Sequence, residues 1–229
     1  MYSLSAIVPF YNEERYLEES VTKLIQTNLF DEIILVDDNS TDNSPKIANG
    51  IEKNYEIVKL YKKNKNEGKG SAVIYGYEKT SSSHIIVHDA DLEYNPLDIV
   101  KLKELSEKNP NALILGSRTI GDLERKKQYA HLVLGNKIIT KFFSILNKID
   151  ISDISTCYIL YSKNFVENAK ISEKKFGIEI EILSKFVKSG NKIIETPIDY
   201  SGRSYLEGKK ITYKDGVGIF LKVIKYKFK

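Results

Sequence analysis

The chain has 229 residues, 41% of them hydrophobic, a formal net charge of +4 and one cysteine, Cys157. That content suffices for a full core and excludes an intrachain disulfide framework, and the small, mixed charge argues against nucleic-acid binding driven by phosphate contacts. No apolar run approaches the ~18 residues of a spanning helix, and the start MYSLSAIVPFYNEE reaches acidic residues too soon for a signal peptide, so the expected setting is cytoplasmic.

The first half alternates short β-branched apolar runs with helical patterns, which predicts βα units and a largely parallel sheet. LSAIVPF reads as the first strand, and Glu13 to Thr27 place Leu17, Val21, Leu24 and Ile25 on one helical face. DEIILVDD is a second strand, buried on both sides because its apolar run is continuous. The polar residues of NSTDNSPKIANGIEK supply an N-cap, and Pro45 suits a first helical turn. YEIVKLY is a third strand, the glycines of NEGKGSAVIYGYEKT open another helix, and SHIIVHDAD is the fourth strand. PLDIVKLKELSEK and NALILGSR continue the alternation as helix and strand.

After residue 120 the rhythm changes. Residues 126 to 149 form one long amphipathic pattern in which Leu132, Leu134, Ile138, Phe142, Ile145 and Ile149 alternate with Lys137, Lys141 and Lys148. STCYILYS is a short strand, IEIEILSKFVKSG a helix, NKIIETPIDY extended, and SGRSYLEGKKITYKDG a polar loop. The C-terminal helix sets Val217, Phe220, Ile224 and Phe228 against Lys222, Lys225, Lys227 and Lys229. With no repeat or linker, one α/β domain over 1–229 is the simplest organisation.

The fourth strand ends on Asp89 and Asp91. In an extended segment residues i and i+2 project to one side, so the two carboxylates should converge, with Glu93 continuing the alternation. Ionised carboxylates that close tolerate each other only with a cation between them. Three hard oxygen donors, with no cysteine or clustered histidine, suit magnesium or manganese and hence a diphosphate; the other reading is a solvated acidic turn. Asp37 and Asp38 end the second strand and PFYNEE the first. Polar residues thus collect at one sheet edge, where open α/β sheets hold their ligands. Gly68-Lys69-Gly70 reads either as a tight turn or as a phosphate cradle at a helix N-terminus, without the spacing of a P-loop.

The segments P-F-Y-N-E, V-D-D-N-S-T-D, N-E-G-K-G-S-A, H-D-A-D-L-E, G-S-R and G-R-S-Y-L-E-G-K-K-I, in this order and spacing, resemble the family 2 inverting glycosyltransferases, in the polyprenyl-phosphate branch that includes dolichol-phosphate mannose synthase. The similarity runs from about residue 4 to residue 216. It implies a GT-A-type, Rossmann-like sheet flanked by helices, with residues 1–118 as the nucleotide-sugar-binding half and 119–229 facing acceptor and membrane. By the same resemblance Pro9, Tyr11, Glu13, Val36 and Asp38 hold the nucleoside, with Ala90 against it. Asp89, Asp91 and Glu93 bind the Mg²⁺ or Mn²⁺ that bridges the donor phosphates, although many relatives carry glutamine at the third position. Arg118, Arg203 and Lys209 match positions that bind donor or acceptor phosphates, and Asp153 begins D-I-S-T-C-Y-I, similar to a family segment that usually continues with Lys or Arg where Ile159 stands here. Asp91, Arg118 and Asp153 are thus the expected catalytic groups.

The implied reaction moves a hexose from a GDP- or UDP-linked sugar to a polyprenyl phosphate. A hydroxyl acceptor needs a positioned base, and the candidates are Asp153, Glu179 and Glu181; His84, His88 and His131 read as structural. A phosphate acceptor, with a second pKa near ~6, arrives ionised and needs only cationic positioning. The two lysine-rich amphipathic helices, beside Arg203, Lys209 and Lys210, suit a lipid-borne acceptor and peripheral contact with an anionic bilayer at the inner membrane face, since the family's spanning C-terminal extension is absent. Each helix alone also reads as an ordinary core-packed element. Two further readings are a transferase to a saccharide hydroxyl in cell-surface glycan synthesis and a nucleotide-sugar-binding protein without turnover.

Overall fold

The computed structural model describes residues 1–121, 125–126, 129–204 and 213–229. The sheet grows from its middle. β1 (Leu4–Phe10) is buried at every residue and pairs in parallel with β2 (Glu32–Asp37) on one side and β4 (His84–Val87) on the other, Ile7 facing Ile34 and Val87. β3 (Val58–Lys62) extends the parallel set beyond β2. The crossovers are α1 (Leu17–Gln26), α2 (Ser44–Asn54) and α3 (Lys69–Lys79). The chain runs outward from β1 to β3 and then returns to the opposite flank of β1, so a topological switch point lies between β1 and β4. That is where a ligand crevice forms beyond the carboxyl ends of the strands.

The far half holds α4 (Asp98–Lys108), β5 (Leu113–Ser117), β7 (Ile159–Ser162) and β8 (Ile193–Pro197), giving the order β3-β2-β1-β4-β7-β5-β8. β5 and β8 are parallel, and β7 runs antiparallel to both β4 and β5. Its direction has no signature in the apolar run of STCYILYS, of which only the last four residues are strand. A second small sheet pairs β6 (Arg125–Lys126) with β9 (Tyr200–Ser201). The sequence reading also passed over α6 (Lys163–Ala169), whose one legible signal is an N-cap: Phe165 N–H donates to Ser162 Oγ at 3.3 Å.

The last third adds α5 (Ala130–Asn147), α7 (Ile178–Lys188) and α8 (Tyr213–Phe228). α5 is shorter than the pattern over 126–149 predicts, because Lys148 turns into the left-handed region (φ 54°) and closes it. α5 and α8 pack on each other through stacked Phe142 and Phe220, ring centroids 4.6 Å apart. Phe143, Val223 and Tyr226 point into the core, while Leu134, Ile138 and Ile145 of α5 and Val217, Leu221, Ile224 and Phe228 of α8 stand exposed, Phe228 at 79%. Each helix therefore has two apolar faces, one covered and one bare. Among the described residues no helix is long and apolar enough to cross a membrane.

α3 approaches the central strand closely at Gly76, where an added Cβ would lie 2.6 Å from Ile7 Cγ2. Ile7 is fully buried with strands on both sides and cannot yield. Gly76→Ala is expected to cost about 1–3 kcal/mol by overpacking and to lower the melting temperature by roughly 2–4 °C per kcal/mol, read by differential scanning calorimetry.

Candidate active site

The loops after β1 and β2 are tied together by side chains that replace missing backbone partners. Asn12 adopts φ 53°, a conformation asparagine tolerates, and its Oδ1 accepts from Thr41 N–H at 2.8 Å. Asn12 N–H donates to Ser40 Oγ at 3.0 Å and Glu13 N–H to Ser44 Oγ at 2.8 Å. These bonds hold Tyr11 and Glu13 over the sheet edge. Asp38 is held still more firmly: its carboxylate accepts from Lys63 Nζ at 2.6 Å, Gly68 N–H at 2.7 Å and Glu67 N–H at 3.2 Å.

The Gly-Lys-Gly segment is a tight turn into α3. Gly68 has φ +100°, and an added Cβ on Gly70 would collide with the carbonyl oxygen of Glu173, while Ser71 N–H donates to Lys174 O at 2.9 Å. This backbone contact fixes Lys69 in the wall of a cavity of about 410 Å³, where its Nζ meets Asp89 and Glu179 at 2.9 Å each. Sequence reasoning saw the turn and missed that lysine as a site residue.

Of the residues anticipated from sequence, Pro9, Tyr11, Glu13, Asp38, Asp89, Ala90, Asp91, Glu93, Arg118 and Arg203 line this one cavity. Val36 does not; it is fully buried in β2 opposite Pro9. Asp153 lies behind the wall, and Lys209 lies outside the described residues. Phe176, Ile180 of α7 and Ile219 of α8 give the cavity an apolar flank.

The acidic cluster departs from the expected alternation. β4 ends at Val87, and Leu92 takes φ 61°, so residues 88–93 form a turn rather than an extended strand. Glu93 is consequently drawn aside: its Oε1 accepts from Arg203 N–H at 2.7 Å and its Oε2 from the Tyr200 hydroxyl. Among the described residues no group of three or more His, Cys, Asp or Glu side chains gathers as a cation site. Asp89 and Asp91 nevertheless suit one. Burial, with Asp89 and Glu93 nearby, pushes the Asp91 carboxyl up to about 7. A carboxylate crowded in this way is the electrostatic setting a divalent cation relieves, and magnesium commonly takes one or two carboxylates with substrate phosphates completing its shell. For Asp89 burial pushes upward too, but the Lys69 ammonium overcomes it and leaves the carboxyl below its ordinary range.

Arg203 gathers the rest of the cluster, reaching Asp91 at 3.1 Å and Glu13 at 3.2 Å, with its guanidinium 5.2 Å from the Tyr16 ring centre. Arg118 sits over the Tyr200 ring at 4.9 Å and forms a two-pronged pair with Asp153, Nε to Oδ2 at 2.7 Å and Nη2 to Oδ1 at 2.9 Å.

Residues 5–169 match the model of the glycosyl transferase family 2. The chain belongs to that family. A dolichol-phosphate mannosyltransferase of Pyrococcus furiosus is 33% identical over 216 residues, covering 91% of this chain and 60% of the relative. An undecaprenyl-phosphate 4-deoxy-4-formamido-L-arabinose transferase of Proteus mirabilis is 32% identical over 145 residues, 60% of this chain and 43% of the relative. The chain thus spans about half the length of these two curated relatives. Among solved structures, glucosyl-3-phosphoglycerate synthase of Mycobacterium tuberculosis in complex with Mn²⁺, UDP and phosphoglyceric acid superposes with a TM-score of 0.72 over 99% of this chain and 78% of that one; at 17% identity this likeness concerns the GT-A fold alone.

In this family 2 domain the three candidate bases are all engaged. Asp153 is fully buried and also accepts from Arg118 N–H, Asn136 Nδ2 and Ser155 N–H, which makes it the residue that positions Arg118. Glu181 accepts from Ser172 and Glu173 N–H and pairs with Lys185 at 2.7 Å, and Glu179 holds Lys69. Ile159 is 2% exposed in β7, opposite Leu115, and does not line the cavity. His84 and His88 are structural: His88, pushed down to about 4 by burial, sits between the Ser20 and Tyr158 hydroxyls at 3.0 and 2.9 Å.

Burial raises the Asp153 pKa, but Arg118 and the hydrogen bonds from Arg118 and Asn136 more than offset this and hold it below its ordinary 3.8. Its stabilisation is therefore complete above pH 3.8 and fades as pH falls through the depressed value. Asp153→Asn, which leaves Arg118 buried without a counter-charge, is expected to cost about 3 kcal/mol at pH 7. Urea titrations should show that gap closing in acid as the wild-type carboxylate protonates.

Proposed function

We propose that this domain transfers a hexose from a GDP- or UDP-linked sugar to a polyprenyl phosphate, working as a peripheral protein at the cytoplasmic face of a membrane. The observation that carries the reading is one cavity combining the carboxylate pair Asp89 and Asp91, the cations Lys69, Arg118 and Arg203, and an apolar flank that includes Ile219 of α8. The names of the Pyrococcus and Proteus relatives support a lipid-phosphate acceptor.

The nucleotide sugar would enter over the switch point, its nucleoside against Pro9, Tyr11, Glu13, Asp38 and Ala90. Asp89 and Asp91 would hold Mg²⁺ or Mn²⁺, which when bound supplies Lewis-acid neutralisation of the diphosphate. Arg203 and Arg118 add fixed positive charge where negative charge builds as the bond from the anomeric carbon to the diphosphate oxygen breaks. An acceptor phosphate oxygen attacks that carbon from the opposite side, inverting it, and needs no proton removed. Asp153 and Glu181, whose two oxygens each accept internal bonds, support this over a hydroxyl acceptor, which demands a base with an open lone pair; Glu179, paired with Lys69 through one oxygen, is the carboxylate such an acceptor would have to use.

The bare stripes of α5 and α8 supply the membrane side of the reading. Leu134, Ile138 and Ile145 and Val217, Leu221, Ile224 and Phe228 are exposed beside exposed Lys137, Lys141, Lys148 and Lys225. Apolar residues flanked by lysines bind an anionic interface, each nearby lysine contributing ~1 kcal/mol. Lys222 has another task, donating to Phe176 O and pairing with Glu173 at 3.0 Å.

With radiolabelled donor, polyprenyl phosphate and manganese, label should move into the butanol phase, and Asp91→Ala should cut that transfer at least about 100-fold while leaving the circular dichroism spectrum unchanged. Label confined to the aqueous phase, or robust turnover by Asp91→Ala, refutes the reading. The double substitution Ile138→Glu and Leu221→Glu is expected to abolish sedimentation with anionic vesicles, since both apolar stripes lose their centre.

A further inference from the structure

Lys69 occupies the carboxylate that a divalent cation would need. Its Nζ lies 2.9 Å from Asp89 Oδ1, donates to Asp89 Oδ2 at 2.9 Å and pairs with Glu179 Oε1 at 2.9 Å. Both Asp89 oxygens thus face one ammonium. The main chain at Lys69 is fixed, because Gly70 abuts the Glu173 carbonyl and Ser71 N–H is bonded to Lys174 O, so the ammonium can move only by side-chain rotation. A divalent ion and an ammonium on the same oxygens repel strongly at such distances. Glu179, on the first turn of α7, gives the displaced ammonium an anchor inside the cavity.

We propose that Lys69 is an exchangeable counter-ion: it neutralises Asp89 in the ligand-free site, yields that carboxylate when a divalent cation loads, and turns, still tethered by Glu179, toward the diphosphate of the nucleotide. This rests on the metal-dependent reading above. Arg203 is not equivalent, since its guanidinium is shared between Glu13 and Asp91 and its own N–H is bonded to Glu93. Cation alone then binds weakly, because it must evict Lys69. Cation and nucleoside diphosphate bind together well, because the evicted ammonium finds phosphate oxygens. The coupling is reciprocal, each ligand raising the affinity of the other by the same factor.

The test is a Mn²⁺ titration followed by electron paramagnetic resonance, with and without GDP or UDP, on wild type, Lys69→Met, Glu179→Gln and Asp91→Ala. Lys69→Met should bind Mn²⁺ alone about fivefold tighter or more, and the enhancement of Mn²⁺ binding by the diphosphate should shrink by a similar factor. Glu179→Gln, which leaves the lysine wholly on Asp89, should weaken binding of Mn²⁺ alone. Unchanged or weaker Mn²⁺ affinity in a Lys69→Met protein of wild-type melting temperature overturns the proposal; should that variant not fold, equal or tighter Mn²⁺ binding by Glu179→Gln does so. Asp91→Ala separates the two levels. If it binds Mn²⁺ as wild type does, the metal site itself is wrong; if it loses binding while Lys69→Met changes nothing, only the role of Lys69 falls.

Discussion

Six carboxylates, Glu13, Asp38, Asp89, Asp91, Glu93 and Glu179, crowd one 410 Å³ cavity, and the surrounding structure is organised around keeping them together. Carboxylates at such density would protonate or part unless cations stood among them. Lys69 arrives from the start of α3, Arg118 from the end of β5 and Arg203 from the loop after β9, three elements far apart in the chain. The parallel half of the sheet supplies five of these acids from the loops beyond its strand ends, and the later half contributes Glu179 and two of the three neutralising groups. The site is therefore a product of the whole domain, and neither half alone would be electrically balanced there.

Behind the cavity wall a second tier of pairs fixes the first. Asp153 holds Arg118, Lys63 holds Asp38, and the Tyr200 hydroxyl and the Arg203 main chain hold Glu93. Pairs buried this way contribute modestly to net stability, and breaking one costs far more than forming it gained. Their effect is geometric: each locks a rotamer that would otherwise sample several positions around the ligands.

Most of the fold was legible because parallel strands buried on both faces leave continuous apolar runs, as in DEIILVDD, and because their crossover helices are amphipathic. The direction of β7 was hidden, since an antiparallel strand in a buried sheet has the same composition as a parallel one. At the site, adjacency in sequence carried Asp89 and Asp91, and resemblance carried Arg118 and Arg203. The geometry of Glu93 was misjudged because the alternation rule assumes extended backbone, and Leu92 breaks it with a left-handed turn. Lys69 escaped because its meaning comes from Glu179, 110 positions away, which no local spacing reveals. The exposed stripes on α5 and α8 were visible as amphipathicity, but which apolar positions are covered depended on the Phe142–Phe220 stack.

The centre of the seam between the start of α3 and residues 173–175 is made of main-chain atoms: the Gly70 α-carbon against a carbonyl, and an amide bonded to the next carbonyl along. The side chains of the segment answer to other partners, Glu173 to Lys222 and Tyr226 of α8 and Lys174 to Glu67. A change in loop length cannot be absorbed, because it would slide every carbonyl past its mate. In related chains this segment should hold constant in count, a ruler of fixed length between α3 and α7.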